Sequence, residues 1–296
     1  MHSLEGLVYR STGIAAALLI LSVPLTLMAQ NAESERPKAE SRVALSLAPI
    51  IGPHVDIAEA RRRFEAGARR GYAPAEANLG VLYAFGRGVA RNPGTAIYWT
   101  RLAADQGNAE ALGNLGIFYR DGWGLTKDPA KAFRLFQAAA DQGNTAAMTN
   151  LGYSYDQGLG VARNLQAAVE WYRKAAEGGD AMGENNLGDL YLRGEGVSQN
   201  AETAFELFSL AAEQGNTGAC IKLGYLYMTG RGTRKDDESA YAWIKAAALG
   251  GDPRGAEYLG GLAAKLTSVQ LKNATERASS LQARESAGTQ LVGVGR

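Results

Sequence analysis

The sequence is short of the groups that carry out covalent chemistry. Of 296 residues two are histidine, His2 and His54, and both precede the part of the chain where a regular pattern begins. Without a histidine there, nucleophilic triads and histidine metal sites lack a member, and no cofactor is implied. Cysteine is scarcer still. The single Cys220 has no partner for an internal disulfide, and beside Ile221 in an alanine-rich stretch it reads as a small buried side chain. An excess of one charge is missing as well: 31 basic residues face 30 acidic ones, for a net charge of +1, which argues against a nucleic-acid partner. Carboxylates such as Asp156, Glu184 and Asp189 show no spacing beyond that of a charged surface. Five Gly-x-Gly turns have no strand pattern ahead of them, so a phosphate-binding loop is not indicated.

Long apolar runs are also lacking. The longest, Gly13 to Met28, has sixteen residues and is broken by Pro24, where a membrane span needs roughly 20. With Arg10 before it and Ala29 after it, residues 1–29 read as an export signal, a retained anchor being the alternative. The expected location is the periplasm, with secretion or inner-membrane anchorage as alternatives, and membrane contact comes only through this segment if it stays uncleaved. Residues 30–54 mix charge, serine and proline without helical period and read as a disordered linker.

What the chain has in quantity is repetition. Ala111-Leu112-Gly113-Asn114-Leu115-Gly116-Ile117-Phe118-Tyr119 returns every 36 residues, its central glycine recurring as Gly80, Gly116, Gly152, Gly188, Gly224 and Gly260. Leucine precedes that glycine every time, and tyrosine follows three residues later at 83, 119, 155, 191 and 227. Paired alanines close each unit, as at 103/104 and 139/140. A fixed period of this length marks a solenoid whose units bury their apolar faces only against neighbours. Two helices fit each period. The first stops at Gly-x-Gly, and Asn92, Asp128, Asn164, Asn200 and Asp236 cap the second, with Pro93 and Pro129 in its first turn. Asn108, Asn144, Asp180, Asn216 and Asp252 stand where the next first helix begins. A slot of the second helix alternates Trp99, Leu135, Trp171, Leu207 and Trp243, with Phe136 and Phe208 compensating beside the leucines, which reads as core packing. Asp56 to Arg70 occupies the place of a lone second helix, an N-terminal cap with arginines outward. Thr267 or Ser268 opens a closing helix whose Val269, Leu271, Ala274 and Ala278 cover the last repeat. The expected fold is all-α, a solenoid over 55–278 with five full repeats from Ala73, Ala109, Thr145, Ala181 and Thr217 plus end caps, followed by a disordered tail at 279–296.

The Asn-Leu-Gly…Tyr block, the Gly-x-Gly-Val turns at Gly86 to Val89, Gly158 to Val161 and Gly194 to Val197, and the Ala-Ala…Gly ending resemble the Sel-1-like repeat family, relatives of the tetratricopeptide repeats. The resemblance implies a right-handed stack of antiparallel helix pairs acting as an adaptor that holds a protein or peptide. Some exported relatives carry a cysteine pair in every repeat and have β-lactamase-like activity ascribed to them. This chain lacks those pairs, so an envelope hydrolase is the alternative reading and a non-enzymatic adaptor the leading one.

By analogy with tetratricopeptide arrays, first helices line a concave face, exposing positions three before, two before, one after and four after the central glycine. Two before stand Asn78, Asn114, Asn150 and Asn186, a ladder of amides able to hold an extended peptide backbone. The same amides could instead tie each repeat to the one before. Lys222 and Tyr258 replace the asparagine in the last units. Other positions supply Val81, Ala84, Ile117, Arg120, Tyr153, Asp156, Asp189, Leu192, Tyr225 and Met228, with Tyr153 and Tyr225 as the expected anchors.

Overall fold

The computed structural model of the chain describes the backbone of residues 56–291 and the side chains as far as residue 281. The export signal, the linker and both histidines lie outside the described residues. The chain divides into two units, and all described residues belong to the second, which begins at Ala39.

Among the described residues there are thirteen helices and no strand. Helix α1 (Ile57–Ala68) is the first described helix and occupies the second-helix place expected for the N-terminal cap, with Asp56 accepting from the Ala58 N–H. Five pairs follow: α2 (Ala73–Phe85) with α3 (Pro93–Asp105), α4 (Ala109–Asp121) with α5 (Pro129–Ala140), α6 (Thr145–Gln157) with α7 (Leu165–Glu177), α8 (Ala181–Arg193) with α9 (Ala201–Glu213), and α10 (Thr217–Thr229) with α11 (Asp237–Leu249). The short α12 (Gly255–Ala263) and the long α13 (Ser268–Leu291) close the array. Each first helix packs on its own second helix, and each second helix on the first helix of the next pair. No helix among them is long and apolar enough to cross a membrane.

The turns are locally encoded. Every first helix of the five pairs ends on a left-handed glycine, Gly86, Gly122, Gly158, Gly194 or Gly230, at φ of 69 to 72°. The chain then folds back so that Asn92, Asp128, Asn164, Asn200 and Asp236 donate their N–H to the carbonyls of Tyr83, Tyr119, Tyr155, Tyr191 and Tyr227 at 2.8–2.9 Å. The same five residues cap the second helices through their side chains. Asn108, Asn144, Asp180 and Asn216 cap the first helices likewise. The fifth expected cap differs: Asp252 accepts from the N–H of Arg254 and holds its guanidinium, and α12 starts only at Gly255. Pro253 stands directly after it, and the helix begins later.

The central glycine is where the two helices of a pair meet. A Cβ on Gly116 would lie 2.6 Å from the Phe136 ring, on Gly152 2.7 Å from Tyr172, on Gly188 2.8 Å from Phe208, and on Gly224 2.5 Å from Ile244. Each of these partners is almost wholly buried. The slot facing the glycine is therefore 100/136/172/208/244, and it holds Tyr172 and Ile244 as well as the two phenylalanines. The neighbouring slot with the alternating tryptophans is less central: Trp99, Leu135, Trp171 and Leu207 are half-buried and only Trp243 is buried. The expected volume exchange between the two slots is thus incomplete, because one faces the glycine and the other the rim of the pair.

The second glycine of each turn makes the contact between repeats. Gly88, Gly124, Gly160, Gly196 and Gly232 have positive φ and press on Ile57, Pro93, Pro129, Leu165 and Ala201, each the first residue of the preceding second helix. At Gly160, Gly196 and Gly232 the neighbour is the backbone carbonyl itself, so no side chain can be accommodated.

The C-terminal cap departs from expectation in two places. Thr267 and Gln270 cap α13 reciprocally, the Thr267 N–H donating to the Gln270 side chain at 3.0 Å and the Gln270 N–H to the Thr267 hydroxyl at 3.3 Å. Leu271, Ala274 and Ala278 pack inward, but Val269 is 69% exposed and covers nothing. The helix also continues through Leu291 where a disordered tail was expected. Leu281 extends the apolar stripe one turn and packs against the cluster around Trp243, and glycine and proline are absent from Ser279 to Ala287. Gly116→Ala should lower stability by about 1–3 kcal/mol from overpacking, whereas Gly260→Ala, on an exposed helical site with open space around it, should raise it by about 0.5–1 kcal/mol. Urea unfolding of the two variants measures both signs.

Candidate functional site

The residues expected to line an open wall divide into two groups. Asn78, Val81, Asn114, Ile117, Arg120, Asn150 and Asp156 are buried. Tyr153, Asn186, Asp189, Tyr225 and Met228 are partly exposed. Ala84 and Leu192 are buried too. The expectation that all these positions are open is corrected for Asn78, Val81, Ala84, Asn114, Ile117, Arg120, Asn150, Asp156 and Leu192, which are packed within the array, while partial exposure begins at Tyr153.

The amide ladder is absorbed into the scaffold at the rungs where its bonds are defined. Asn78 donates its amide to the Pro74 carbonyl at 2.6 Å, and Asn150 donates to the Ala146 carbonyl at 2.9 Å. Asn150 also accepts from the Arg120 guanidinium at 2.7 Å, while the rest of that guanidinium grips Asp121 at 2.7 and 2.8 Å. Arg120 belongs to α4 and Asn150 to α6, so the bond joins two repeats. Asn150 thus joins two repeats, whereas Asn78 bonds within its own helix. Further along, Lys222 takes the ladder slot and donates to Asp189 at 2.6 Å and to Asn185 at 2.9 Å, both on the preceding first helix. Asn186 in turn accepts from the Asn185 amide at 3.1 Å.

Two further links had no counterpart in the sequence reading. Gln106 donates to Glu76 at 2.6 Å, and Gln214 donates to Glu184 at 2.8 Å, each joining the end of a second helix to the first helix of its own repeat. Burial raises the Glu76 carboxyl above its ordinary range. It pushes Glu184 to about 7, assisted by the nearby charge of Asp180. The signal was present, since glutamate occurs four before the central glycine only in repeats that end in Gln-Gly. Asp156 is likewise raised by burial, and the Gln157 hydrogen bond together with Arg193 and Arg163 holds it partly down.

What stays open on the first-helix wall lies toward its C-terminal half. Tyr153, Asn186, Asp189, Tyr225 and Met228 are joined there by Tyr258 of α12. Burial raises the Tyr258 hydroxyl, and the nearby Glu257 and Tyr225 raise it further, which places Tyr225 and Tyr258 as neighbours across the last repeat boundary. The open part of the wall thus combines phenolic faces with an amide and a carboxylate. Cys220 is buried.

The Sel1 repeat model matches residues 73–108, 109–144, 145–180, 181–216 and 217–252. The chain belongs to the Sel1 repeat family. The family repeats begin at the residues from which the periodicity was counted. A Sel1 repeat protein from Oxalobacter formigenes is similar at 29% identity over 76% of this chain and 99% of that one, with a TM-score of 0.63. The protein c5321, a protective antigen present in uropathogenic Escherichia coli strains, is similar at 26% identity and a TM-score of 0.50; the match covers 88% of this chain and 64% of that one. The immunity protein Pa5087 from Pseudomonas aeruginosa, at 20% identity and a TM-score of 0.50, shares the fold. No curated protein matches the chain significantly. Sel1 arrays are scaffolds for protein–protein interaction and typically not enzymes.

The raised Glu184 carboxyl sets a pH dependence of the Sel1 array's stability. Its folded value near 7 lies above the ordinary 4.5, so between those limits the folded state holds a proton that the unfolded state has released. Stability is greatest below pH 4.5 as far as this group is concerned and falls as pH rises toward 7. Glu184→Gln should flatten that part of the profile in thermal melts across the range, with little loss at neutral pH because the glutamine carbonyl still accepts from Gln214.

Proposed function

We propose that the chain is an exported adaptor that holds a protein or peptide partner on the C-terminal half of its first-helix wall. The observation that supports this most directly is the contrast along that wall. The N-terminal positions are filled by inter-repeat packing, whereas Tyr153, Tyr225, Met228 and Tyr258 keep part of their surface open. Aromatic side chains contribute large contact area at little entropic cost and are favoured at binding hot spots. Asn186 and Asp189 stand among them and can orient a peptide backbone. Asp189 is already held by Lys222 through one carboxylate oxygen, so its role is to keep the wall rigid and to present the other oxygen as an acceptor.

Location outside the cytoplasm is supported by the leader-like composition of residues 1–29 and by the similarity to a protein described as a protective antigen. Envelope regulation, polymer secretion and host interaction are the processes such an adaptor fits. The absence of histidine from the repeats weighs against the hydrolase alternative. In-cell crosslinking followed by mass spectrometry should recover one partner set with the wild type and lose it with Tyr153→Ala/Tyr225→Ala. Asn78→Ala should lower thermal stability while leaving the partner set unchanged, and the reverse pattern would remove the C-terminal wall from consideration. Sequencing the N-terminus of protein recovered from a periplasmic extract should show a start near residue 30, whereas an intact Met1 there would speak for a retained anchor.

A further inference from the structure

A second surface lies away from the first-helix wall. Arg101 of α3, Tyr119 of α4, Lys127 in the turn before α5 and Lys131 in its first turn line an open recess of about 580 Å³, with Leu125 and Pro129 as its large apolar lining. Three consecutive repeats build it, since Gly160 of the next turn forms part of the wall.

The charge in this recess is not needed by the fold. Counting by the 36-residue period, the slots of Arg101, Lys127 and Lys131 are filled by Glu65, Arg91 and Thr95 one repeat earlier and by Gln137, Arg163 and Ala167 one repeat later. The next two sets are Arg173, Gln199 and Thr203, then Ser209, Lys235 and Ser239. Every other set holds a single cation. Here there are three, and among the described residues none of the three is in an ion pair. Lys131 moreover stands in the first turn of α5, where the helix dipole disfavours a cation. Its ammonium lies 4.4 Å from the centre of the Tyr119 ring, and Arg101 donates to the Tyr119 hydroxyl at 3.0 Å. Lys131 and Arg101 together hold that hydroxyl below the ordinary phenol range despite its burial, a sign of the positive potential there. Asp128 is the one acid on the rim, and its carboxylate is engaged in capping α5.

We infer that this recess is a docking site for an acidic peptide segment of a protein partner, a carboxylate meeting Arg101, Lys127 and Lys131 while an adjacent apolar side chain packs on Leu125 and Pro129. The inference rests on the reading of the chain as a polypeptide-binding scaffold but concerns a different surface, so the two can fail separately. The carboxylate can come from an aspartate or glutamate side chain or from a chain terminus. The apolar wall favours a peptide over a bare inorganic anion.

The test is fluorescence anisotropy of the purified chain with a fluorescein-labelled Gly-Ser-Glu-Leu-Leu peptide, as the free acid and as the C-terminal amide, and with the amidated glutamine counterpart. Binding of both acidic forms supports a side-chain carboxylate, and binding of the free acid alone supports a chain terminus. In either case Lys127→Glu, at an exposed side chain with no structural partner, should weaken binding at least about tenfold. Added salt should weaken it too, while Tyr153→Ala/Tyr225→Ala should leave it unchanged. The inference is overturned if the acidic peptides bind no better than the glutamine form, if Lys127→Glu and Arg101→Gln have no effect, or if inorganic phosphate or phosphatidylglycerol vesicles occupy the recess in preference to the peptide. Melting curves of both variants matching the wild type exclude loss of fold as the cause.

Discussion

The array depends on pairs of helices touching at a position that has no side chain. At the central glycine of each of the five pairs the backbone of the first helix lies directly against Thr100, Phe136, Tyr172, Phe208 or Ile244 of the second. That approach lets a pair of twelve- or thirteen-residue helices close around one large residue. A single pair is still too small to cover both of its faces, and the second turn glycine, pressed on the start of the preceding second helix, sets where the neighbour must sit. Two glycines per repeat thus determine the close contacts within and between units, and the remaining residues fill the space they leave.

The polar groups follow from the same geometry. Stacking first helices side by side brings the slot four after the glycine of one repeat, or one after it, against the slot two before the glycine of the next. Arg120 meets Asn150 in this way, and Asp189 meets Lys222. Buried polar groups are tolerated only when satisfied, and in these two pairs the partner is supplied by the adjacent repeat. These polar ties reach as far as Lys222, and at the last repeat boundary Tyr225 and Tyr258 stand in their place.

The ends show how a repeat array stops. At the N-terminal end of the described residues, α1 presents Arg62, Arg63, Arg69 and Arg70 to water. At the C-terminus α12 lacks the Gly-x-Gly turn, and α13 lies along α11 and makes the terminal contact, with Arg277 reaching Ser239 in the capping network of α11. Gly260 keeps its place in the register, yet nothing approaches it closely. The glycine persists where the contact that requires it has been lost.

Within the five repeats local information was enough for the helices, their caps, the turns and the repeat boundaries, because each depends on residues within a few positions: Asn108 caps Ala111, and Gly122 turns the chain after Asp121. The sequence also pointed to the central glycine as a close contact. Tertiary structure alone decided which repeated slots are open. Asn78, Asn114 and Asn150 have the composition of a binding ladder, but whether an amide faces a ligand or a neighbour depends on how far apart successive first helices stand, a distance no single repeat encodes. The meeting of Arg101, Lys127 and Lys131 around Tyr119 was equally out of reach, since it arises only when separate repeats are stacked and their edges form one recess.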